Sequence, residues 1–267
     1  MSVLLIPTDF SPASDSALDY GLQLAGKLGA SVLLAHVYEV PVSMNDLPVL
    51  LSSAQDLKDA SDRNLERTVL SFRDKYASVP LSTVSRMGDT VDELLELAKE
   101  HDALALVVPN PPSSGLDKFL LGSPVNALLR KATVPVLVVS ESPASFRIEK
   151  IALALHEAPS VHQLTDLTAF LRNFQAAIEL VHVKQKEDDT VSLEGVLTEL
   201  QPHVQVVEDE DLSHGLQNYI KVNQIDLLGV LTHRHSWLER TFSKTHESEL
   251  VDAITIPLLC FPEERPA

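Results

Sequence analysis

Asp9 and Ser123 are the two residues of the first half whose types could act together on a phosphate. Asp9 follows an apolar segment that begins at Val3, and Ser123 stands before Pro124 at the start of a helical pattern. A serine in this position can donate to a phosphate, but it can equally cap its helix. The pair could support slow phosphate hydrolysis, although no dedicated base or metal pair accompanies it.

Motifs of the common catalytic classes are absent from the chain. The sequence contains no nucleophile elbow, no Walker-type Gly-Lys-Ser/Thr loop and no Cys-x-x-Cys. Its one cysteine, Cys260, lies in an apolar segment beside Leu259 and Phe261, so we expect it to be buried and inert. A single cysteine also excludes an intrachain disulfide. We therefore predict that the protein is not an enzyme.

The histidines offer little that resembles a metal site. His233 and His235 form a His-x-His in a predicted loop, and alternate residues of an extended loop can face one metal ion. Histidines in solvated loops are common, so we expect no metal there. His36 and His182 lie in apolar segments without the cysteine or carboxylate spacing of a metal site. We interpret both as structural histidines.

The charge of the chain limits its partners. It carries 21 Lys and Arg against 38 Asp and Glu, which gives a net charge of −17. A nucleic-acid duplex or an anionic membrane surface would repel this charge, so neither is an expected partner. The apolar run before Pro7 is too short for a membrane span and lacks the basic start of a signal peptide. We expect a soluble, cytoplasmic protein.

The segments that position these residues alternate between strands and helices. Continuous apolar runs, typical of strands buried in a parallel sheet, occupy Val3–Pro7, Val32–Val37, Leu104–Val108 and Val134–Val139. Between them apolar residues keep helical spacing, with Gly29 as a stop signal and Thr90 and Glu93 at the spacing of a capping box. The alternation predicts an α/β fold with an open, mostly parallel sheet and helices on both faces.

The two halves of the chain repeat each other. Leu34–Val37 returns as Leu180–Val183, and Thr133–Leu137 returns as Thr255–Leu259. The second half is shorter, because the long segment Asp46–Tyr76 of the first half has a much shorter counterpart. We predict two tandem domains, 1–141 and 147–263, with a linker between them.

The first half resembles the universal stress protein family, and the whole chain is similar to its tandem two-domain members. The motifs that carry the resemblance are Pro7-Thr8-Asp9-Phe10-Ser11, His36-Val37, Gly88-Asp89, Leu121-Gly122-Ser123 and Val134–Val139. The second half is similar more weakly, through His182-Val183 and Ile256–Leu259. The resemblance implies two Rossmann-like domains of the adenine nucleotide alpha hydrolase type. Each would be an open five-stranded parallel sheet of order 3-2-1-4-5 flanked by helices.

The resemblance also implies an ATP or AMP site in the crevice of the first half. Its expected residues are Pro7, Thr8, Asp9, Val37, Gly122, Ser123 and Val125. Family members that bind nucleotides resemble one another in a loop Gly-x2-Gly-x9-Gly-Ser/Thr, but Pro109 and Pro112 occupy its first two glycine positions here. Proline has no N–H and fixes φ, so we expect a degenerate phosphate cradle that leaves an adenosine pocket open.

The corresponding site of the second half departs further from the family loop. Leu231, Arg234 and Lys244 stand at the three glycine positions, Thr245 remains at the Ser/Thr position, and Glu157 replaces the aspartate. Basic side chains could still attract an anion, but without the backbone cradle. We expect this site to be degenerate as well.

We therefore predict a non-enzymatic stress-response protein that acts as an interaction or regulatory module with an unknown protein partner and no required cofactor. The alternative is a stress sensor that binds ATP or AMP in the first-half crevice. The resemblance implies that Val134–Val139 and Ile256–Phe261 pair within the chain as a pseudo-dimer, and a further homodimer remains open. Asp46–Tyr76 could form a partner-binding surface, although an amphipathic helix that covers the sheet is the favoured interpretation.

Overall fold

The structure is a computed structural model, and it describes residues 2–39, 47–110, 123–140, 146–155, 161–184, 196–209, 212–231 and 256–262. Within these ranges strands and helices alternate along the chain. The strands are β1 (Val3–Pro7), β2 (Ser31–Tyr38), β3 (Leu81–Met87), β4 (Ala103–Asn110), β5 (Val136–Ser140), β6 (Lys150–Ala154), β7 (Ala177–Lys184), β8 (His203–Glu208), β9 (Leu227–Leu231) and β10 (Leu258–Phe261). The α-helices are α1 (Pro12–Leu28), α2 (Leu47–Arg73), α3 (Thr90–Glu100), α4 (Ser123–Lys131), α5 (Val161–Leu171) and α6 (Leu212–Asn223).

All of these strands belong to one sheet, in the order β3-β2-β1-β4-β5-β10-β9-β6-β7-β8. Neighbouring strands are parallel everywhere except between β5 and β10, which are antiparallel. Each half contributes five strands in the order 3-2-1-4-5, and the two halves meet at their last strands. The predicted α/β fold is confirmed.

Helices cover both faces of the sheet. One buried cluster contains Leu18 of α1 and Leu65 of α2, and it continues into the second half with Leu167 of α5. The cluster on the other face contains Leu94 of α3, Leu128 of α4 and further residues of α6. The chain therefore has a continuous core on each side of its sheet, because the apolar strand residues alternate between the two faces.

The junction of the halves is an antiparallel pair of short apolar strands. Leu137 of β5 lies opposite Leu259 of β10, and both are buried. Strand β5 begins at Val136 rather than Val134, and it is not an edge strand because β4 pairs with its other side. Pro135 precedes the strand and needs only its carbonyl, which accepts from the Leu106 N–H at 2.9 Å.

Two helix boundaries show how local chemistry sets the elements. Gly29 ends α1 in the left-handed conformation with φ 63°, as its stop signal predicted. The prediction of a capping box that starts at Thr90 is wrong, because Asp89 is the N-cap of α3. The Asp89 carboxylate accepts from the Val91 and Asp92 N–H groups. Two adjacent residues could each cap this helix, and the carboxylate also favours the positive end of the helix dipole.

Segment Asp46–Tyr76 is mostly helix α2. Ser61 and Leu65 of this helix are buried against the sheet, and the carboxylate of Asp62 accepts a hydrogen bond from Ser85 of β3 at 2.6 Å. These contacts are those of a sheet-covering helix, while a partner-binding role for the segment stays a prediction. In the part of the chain that the structure describes, no helix is both long and apolar enough to cross a bilayer.

The carboxylate of Asp226 binds the backbone at the start of the second half. Its carboxylate accepts hydrogen bonds from the Glu149 and Lys150 N–H groups at 2.8 and 2.9 Å and from Arg147 Nε at 2.9 Å. Burial alone would raise the pKa of Asp226, but the hydrogen bonds from Glu149, Lys150 and Arg147 outweigh it and hold the pKa below its ordinary value. The carboxylate thus connects the start of β9 to the start of β6.

We expect Asp226→Ala to lower the free energy of unfolding by about 2 kcal/mol at neutral pH, because it leaves two backbone donors unpaired and removes the nearer of the two carboxylates beside Arg147. A carboxyl whose pKa is lower in the folded than in the unfolded state stabilises the fold at pH values above its unfolded-state pKa. This stabilisation is lost as the pH falls through the folded-state pKa. The difference between Asp226→Ala and wild type should therefore shrink below pH 3.8, the ordinary value. Denaturant unfolding at neutral and acidic pH measures it.

Glu149→Ala is the matched control for Asp226→Ala. The Glu149 carboxylate lies 3.8 Å from the same Arg147, but its side chain is 70% exposed. Exposed ion pairs contribute at most about 1 kcal/mol and often nothing. An equal loss of stability in both variants would show that Asp226 acts only as one more surface charge.

Candidate functional site

A cleft with a volume of ≈ 290 Å³ opens at the carboxyl ends of β1, β2 and β4. Ligands bind open α/β sheets at this edge, beside the point where the strand order reverses. The cleft is lined by Pro7, Thr8, Asp9, Ser11, Ala13, Ser14, Ala35, His36, Val37, Thr90, Leu94, Val108, Pro109, Pro124, Val125 and Leu128. Its walls are mainly apolar, with the polar groups concentrated where β1 turns into α1.

The structure brings most of the sequence-predicted site residues together in this cleft. Pro7, Thr8, Asp9, Val37 and Val125 all line it. Gly122 and the side chain of Ser123 lie outside the described residues, as does the rest of the loop between β4 and α4. The binding role of all seven residues stays a prediction.

The turn between β1 and α1 sets the position of Asp9. The Thr8 N–H donates to the Ala35 carbonyl at 2.8 Å, which continues the pairing of β1 with β2 by one residue. Phe10 then takes the left-handed conformation with φ 63°, at a cost of about 1–2 kcal/mol for a residue with a side chain. Its N–H donates to Thr8 Oγ1 at 3.0 Å. This turn reverses the chain and leaves Asp9 exposed at the mouth of the cleft.

Hydrogen bonds from the start of α1 hold the Asp9 carboxylate. Ser14 Oγ donates to Asp9 Oδ1 at 2.5 Å, and the Ser11 N–H donates to the same oxygen at 3.0 Å. Burial raises the pKa of Asp9, but the hydrogen bonds from Ser11 and Ser14 outweigh it, so the pKa lies below its ordinary value. Asp9 is therefore an ionised acceptor at neutral pH. These two bonds use only part of the acceptor capacity of a carboxylate, which offers about four lone-pair sites, so Asp9 can also accept from a ligand.

Asp9 and Ser11 also have structural roles in the turn that begins α1. Ser11 is the N-cap of α1, and its side chain accepts from the Ser14 N–H at 3.3 Å. Asp9 forms an Asx-type turn through its bond from the Ser11 N–H. The structural and the ligand-binding interpretations of Asp9 are therefore compatible, because a carboxylate can accept more bonds than the turn uses.

His36 lies on the wall of the cleft, a position that sequence reasoning missed. Its Nδ1 is 2.7 Å from Ser61 Oγ of α2, and the ring of Phe10 lies 4.5 Å from its ring, centroid to centroid. Burial lowers the pKa of His36 despite the opposing charge of Asp9, so the ring is neutral at neutral pH. The interpretation of His36 as a structural histidine agrees with its contact with Ser61, but it did not place the ring in the cleft. Its position directly before Val37 at the same strand end was the available signal.

The described part of the cleft offers little to a phosphate. Pro109 and Pro124 line it, and neither has a backbone N–H to donate. Among the described lining residues none is lysine or arginine, and the charged one is the carboxylate of Asp9. Within the described lining, a chain of phosphates would meet the Asp9 carboxylate and no lysine or arginine.

The second half supplies less of a site within the described ranges. His182 is buried, and its Nδ1 lies 3.0 Å from the Leu155 carbonyl, but its Nε2 has no hydrogen-bond partner. The interpretation of His182 as a structural histidine therefore accounts for Nδ1 but not for Nε2. Leu231 is buried at the end of β9. Outside the described residues lie Glu157, His233, Arg234, His235, Lys244 and Thr245.

Metal and thiol chemistry find no support in the described ranges. No group of three or more histidine, cysteine or acidic residues there could hold a metal ion. Cys260 is buried, and burial raises the pKa of its thiol to about 12. The prediction of a buried cysteine is confirmed, and its thiol is not a nucleophile at neutral pH.

A second cavity, of ≈ 310 Å³, lies between the two halves at the amino ends of β9 and β10. Its charged lining residues are Arg147 and Asp226, and these already pair with each other at 2.9 Å. Tyr20, from α1, also lines it. Because its charges neutralise each other and anchor β6, we regard this cavity as part of the junction rather than as the ligand site.

Comparison with known proteins places the first half most clearly. A sequence profile described as the universal stress protein family matches residues 1–140. A universal stress protein of Mycobacterium tuberculosis is 30% identical over 139 residues, which cover 52% of this chain and 45% of that protein. The chain thus spans about half the length of this relative.

Solved structures extend the likeness to the second half. The crystal structure of a universal stress protein from Archaeoglobus fulgidus has a TM-score of 0.73 and 17% identity, and the match covers 99% of this chain and 98% of that one. At this identity the likeness concerns the fold. A universal stress protein solved in complex with cAMP is 27% identical, with a TM-score of 0.41 over 52% of this chain and 96% of its own.

Proposed function

Since this chain belongs to the universal stress protein family, we propose that it is a non-enzymatic regulatory module of the stress response whose first-half cleft binds the adenosine part of a nucleotide. The observation that carries the proposal is the ionised Asp9 carboxylate, held at the mouth of an otherwise mainly apolar cleft. Nucleotide occupancy would then regulate the contacts that the protein makes with an unidentified partner.

The chemistry of a nucleoside fits this arrangement of groups. Ribose presents neighbouring hydroxyls that donate to a carboxylate, and the Asp9 carboxylate at the mouth of the cleft has acceptor capacity beyond its bonds to Ser11 and Ser14. A purine is a flat ring with apolar faces, and Leu94, Val108 and Val125 provide an apolar wall. Sites for small molecules typically measure roughly 300–1,000 Å³, and the described cleft of ≈ 290 Å³ lies near the lower end of this range.

The same lining disfavours a strong contribution from phosphates. Backbone N–H groups and cations normally supply phosphate affinity, and the described wall has Pro109 and Pro124 instead. The Asp9 carboxylate would also repel a polyphosphate. We infer that AMP or adenosine is a better ligand than ATP.

The arrangement of polar groups supports binding rather than catalysis. Nucleophilic catalysis needs a nucleophile beside a base that a third group orients. In this cleft Ser14 and Ser11 use Asp9 Oδ1 to hold the turn, and His36 uses Nδ1 to contact Ser61. These polar groups stabilise the wall of the cleft, which is the role expected of a binding protein.

Calorimetric titration of nucleotide-stripped protein with adenosine, AMP and ATP tests the proposal. We expect saturable binding of AMP, with dissociation constants for adenosine and ATP within about tenfold of the value for AMP, because the phosphates should contribute little to the affinity. A ratio of ten corresponds to only about 1.4 kcal/mol. GMP serves as the control for base recognition. Binding of ATP far tighter than AMP would show a working phosphate cradle. If none of the three ligands shows detectable binding at about 1 mM, the weak end of measurable affinity, the ligand part of the proposal is contradicted.

A further inference from the structure

We propose that the edge strand β8 joins two copies of this chain into a symmetric dimer. Strand β8 ends the sheet and pairs with β7 alone among the described strands, so its outer backbone donors and acceptors face away from the sheet. Val204 and Val206 are 48% and 53% exposed on it. An exposed edge strand with apolar side chains is a template for pairing with another strand.

Comparison of the two halves shows that the edge strands β3 and β8 differ at an equivalent position. His36 pairs with Ser85 on β3, and His182 pairs with Val206 on β8, so the repeated histidine marks Ser85 and Val206 as equivalent positions. In the first half Ser85 donates to Asp62 of α2, which covers that face. Between β7 and β8 the described residues form only the short 3-10 helix Thr198–Leu200. The second half therefore has an exposed valine at the position where the first half has a serine bonded to α2.

The register of an antiparallel β8 pair is self-complementary. A two-fold axis perpendicular to the sheet places residues of the same face opposite each other. With Gln205 on the axis, Val204 lies opposite Val206 of the second copy, and the valines of both copies form one apolar patch. In the same register Glu208 lies opposite Pro202, so no carboxylate faces another across the strands. A shift that puts Val206 on the axis would instead place Val204 opposite Glu208.

A second copy explains more of the surface than a helical partner does. A docked helix would cover the valines but would leave the backbone groups of the strand edge unpaired, whereas a second β8 satisfies both. The protein already joins its own halves in this way, through the antiparallel pair of β5 and β10. The dimer would thus continue the same sheet across a second edge-to-edge contact.

The net charge of −17 opposes this association and gives it a characteristic salt dependence. The contact is short and apolar, and small interfaces of this kind are weak. Salt at about 0.1 M or more screens the repulsion beyond about 10 Å without weakening the valine contact. Added salt should therefore strengthen the dimer, which is the opposite of its effect on an interface made of ion pairs.

Light scattering of the ligand-free chain between about 1 µM and about 1 mM, the range of weak interfaces, tests the dimer. The wild-type mass should approach twice 29.2 kDa with rising concentration, whereas Val206→Lys should remain at 29.2 kDa. Met87→Lys is the matched control, because Met87 is 56% exposed on β3 at the opposite edge, and this variant should dimerise like wild type. A wild-type mass of 29.2 kDa throughout, or equal dimerisation of Val206→Lys, would overturn the proposal.

Cysteine cross-linking tests the register independently. Under oxidation Gln205→Cys should form a disulfide-linked dimer, because a residue on the axis lies opposite itself within the Cα separation of about 4.4–6.8 Å that a disulfide needs. His203→Cys is the control on the same face and should not cross-link, since it lies opposite Val207. The native Cys260 is buried and does not compete. Equal cross-linking of both variants would contradict the register. These experiments use no nucleotide, so their outcome is independent of the proposed ligand.

Discussion

Replacing Asp9 by alanine is expected to weaken AMP binding about ten- to hundredfold. The substitution removes hydrogen bonds to a charged group, which contribute about 1.5–3 kcal/mol, or a factor of roughly ten to a hundred in the dissociation constant. This carboxylate is the group that would accept from the ribose. Titration calorimetry of Asp9→Ala beside wild type measures the loss.

Asp15→Ala is the control for charge near the cleft. Asp15 is exposed on the first turn of α1 and senses the charge of Asp9, but it does not line the cleft. Its removal should leave AMP affinity unchanged within about twofold, since only a screened surface charge is lost. Asp9→Asn retains the shape of the side chain, so it separates loss of charge from loss of the turn at Ser11. Unchanged AMP binding in Asp9→Ala would place the ligand elsewhere.

Replacing Leu259 by alanine is expected to lower the free energy of unfolding by about 3 kcal/mol. Leu259 is 1% exposed and lies opposite Leu137 on the junction strands, so the substitution removes buried area and leaves a cavity. Because this pair connects the two halves of the sheet, the variant should still unfold in one transition at lower denaturant concentration. Denaturant unfolding followed by circular dichroism measures both properties.

Leu70→Ala is the matched control for the junction variant. Leu70 is 55% exposed on α2, and leucine and alanine are both strong helix formers, so the expected change is below about 0.5 kcal/mol. A double-mutant cycle with Leu137→Ala should give a coupling energy of about 0.5 kcal/mol or more between the junction residues. Two separate transitions in Leu259→Ala, with the first half unaffected, would show that the halves are independent of the junction.

The order of elements was accessible from the sequence because apolar runs and helical stripes alternate strictly in the first half. Strand order within each half came from the family resemblance, since periodicity does not reveal which strands are neighbours. The errors were local. Asp89 and Thr90 are both good N-caps, and only the backbone geometry selects Asp89. Strand β5 begins one residue after Pro135, because proline has no N–H to donate to a neighbouring strand.

The candidate site was predictable to the extent that it lies at strand ends. Thr8, Asp9 and Val37 end apolar runs, so their convergence follows from a parallel sheet. The contact of Ser14 with Asp9 depends on a tight turn through a left-handed Phe10, which sequence spacing does not indicate. The hydrogen bond of His36 to Ser61 joins β2 to a residue of α2 that is distant in sequence, so residue spacing does not indicate it.

The most direct test of the ligand site is hydrogen–deuterium exchange of the full chain with and without saturating AMP. The account predicts slower exchange in the peptides that contain Thr8–Ser14 and Ala35–Tyr38, with the second half unchanged. Protection confined to the second half, or none under conditions in which calorimetry shows saturation, would contradict it.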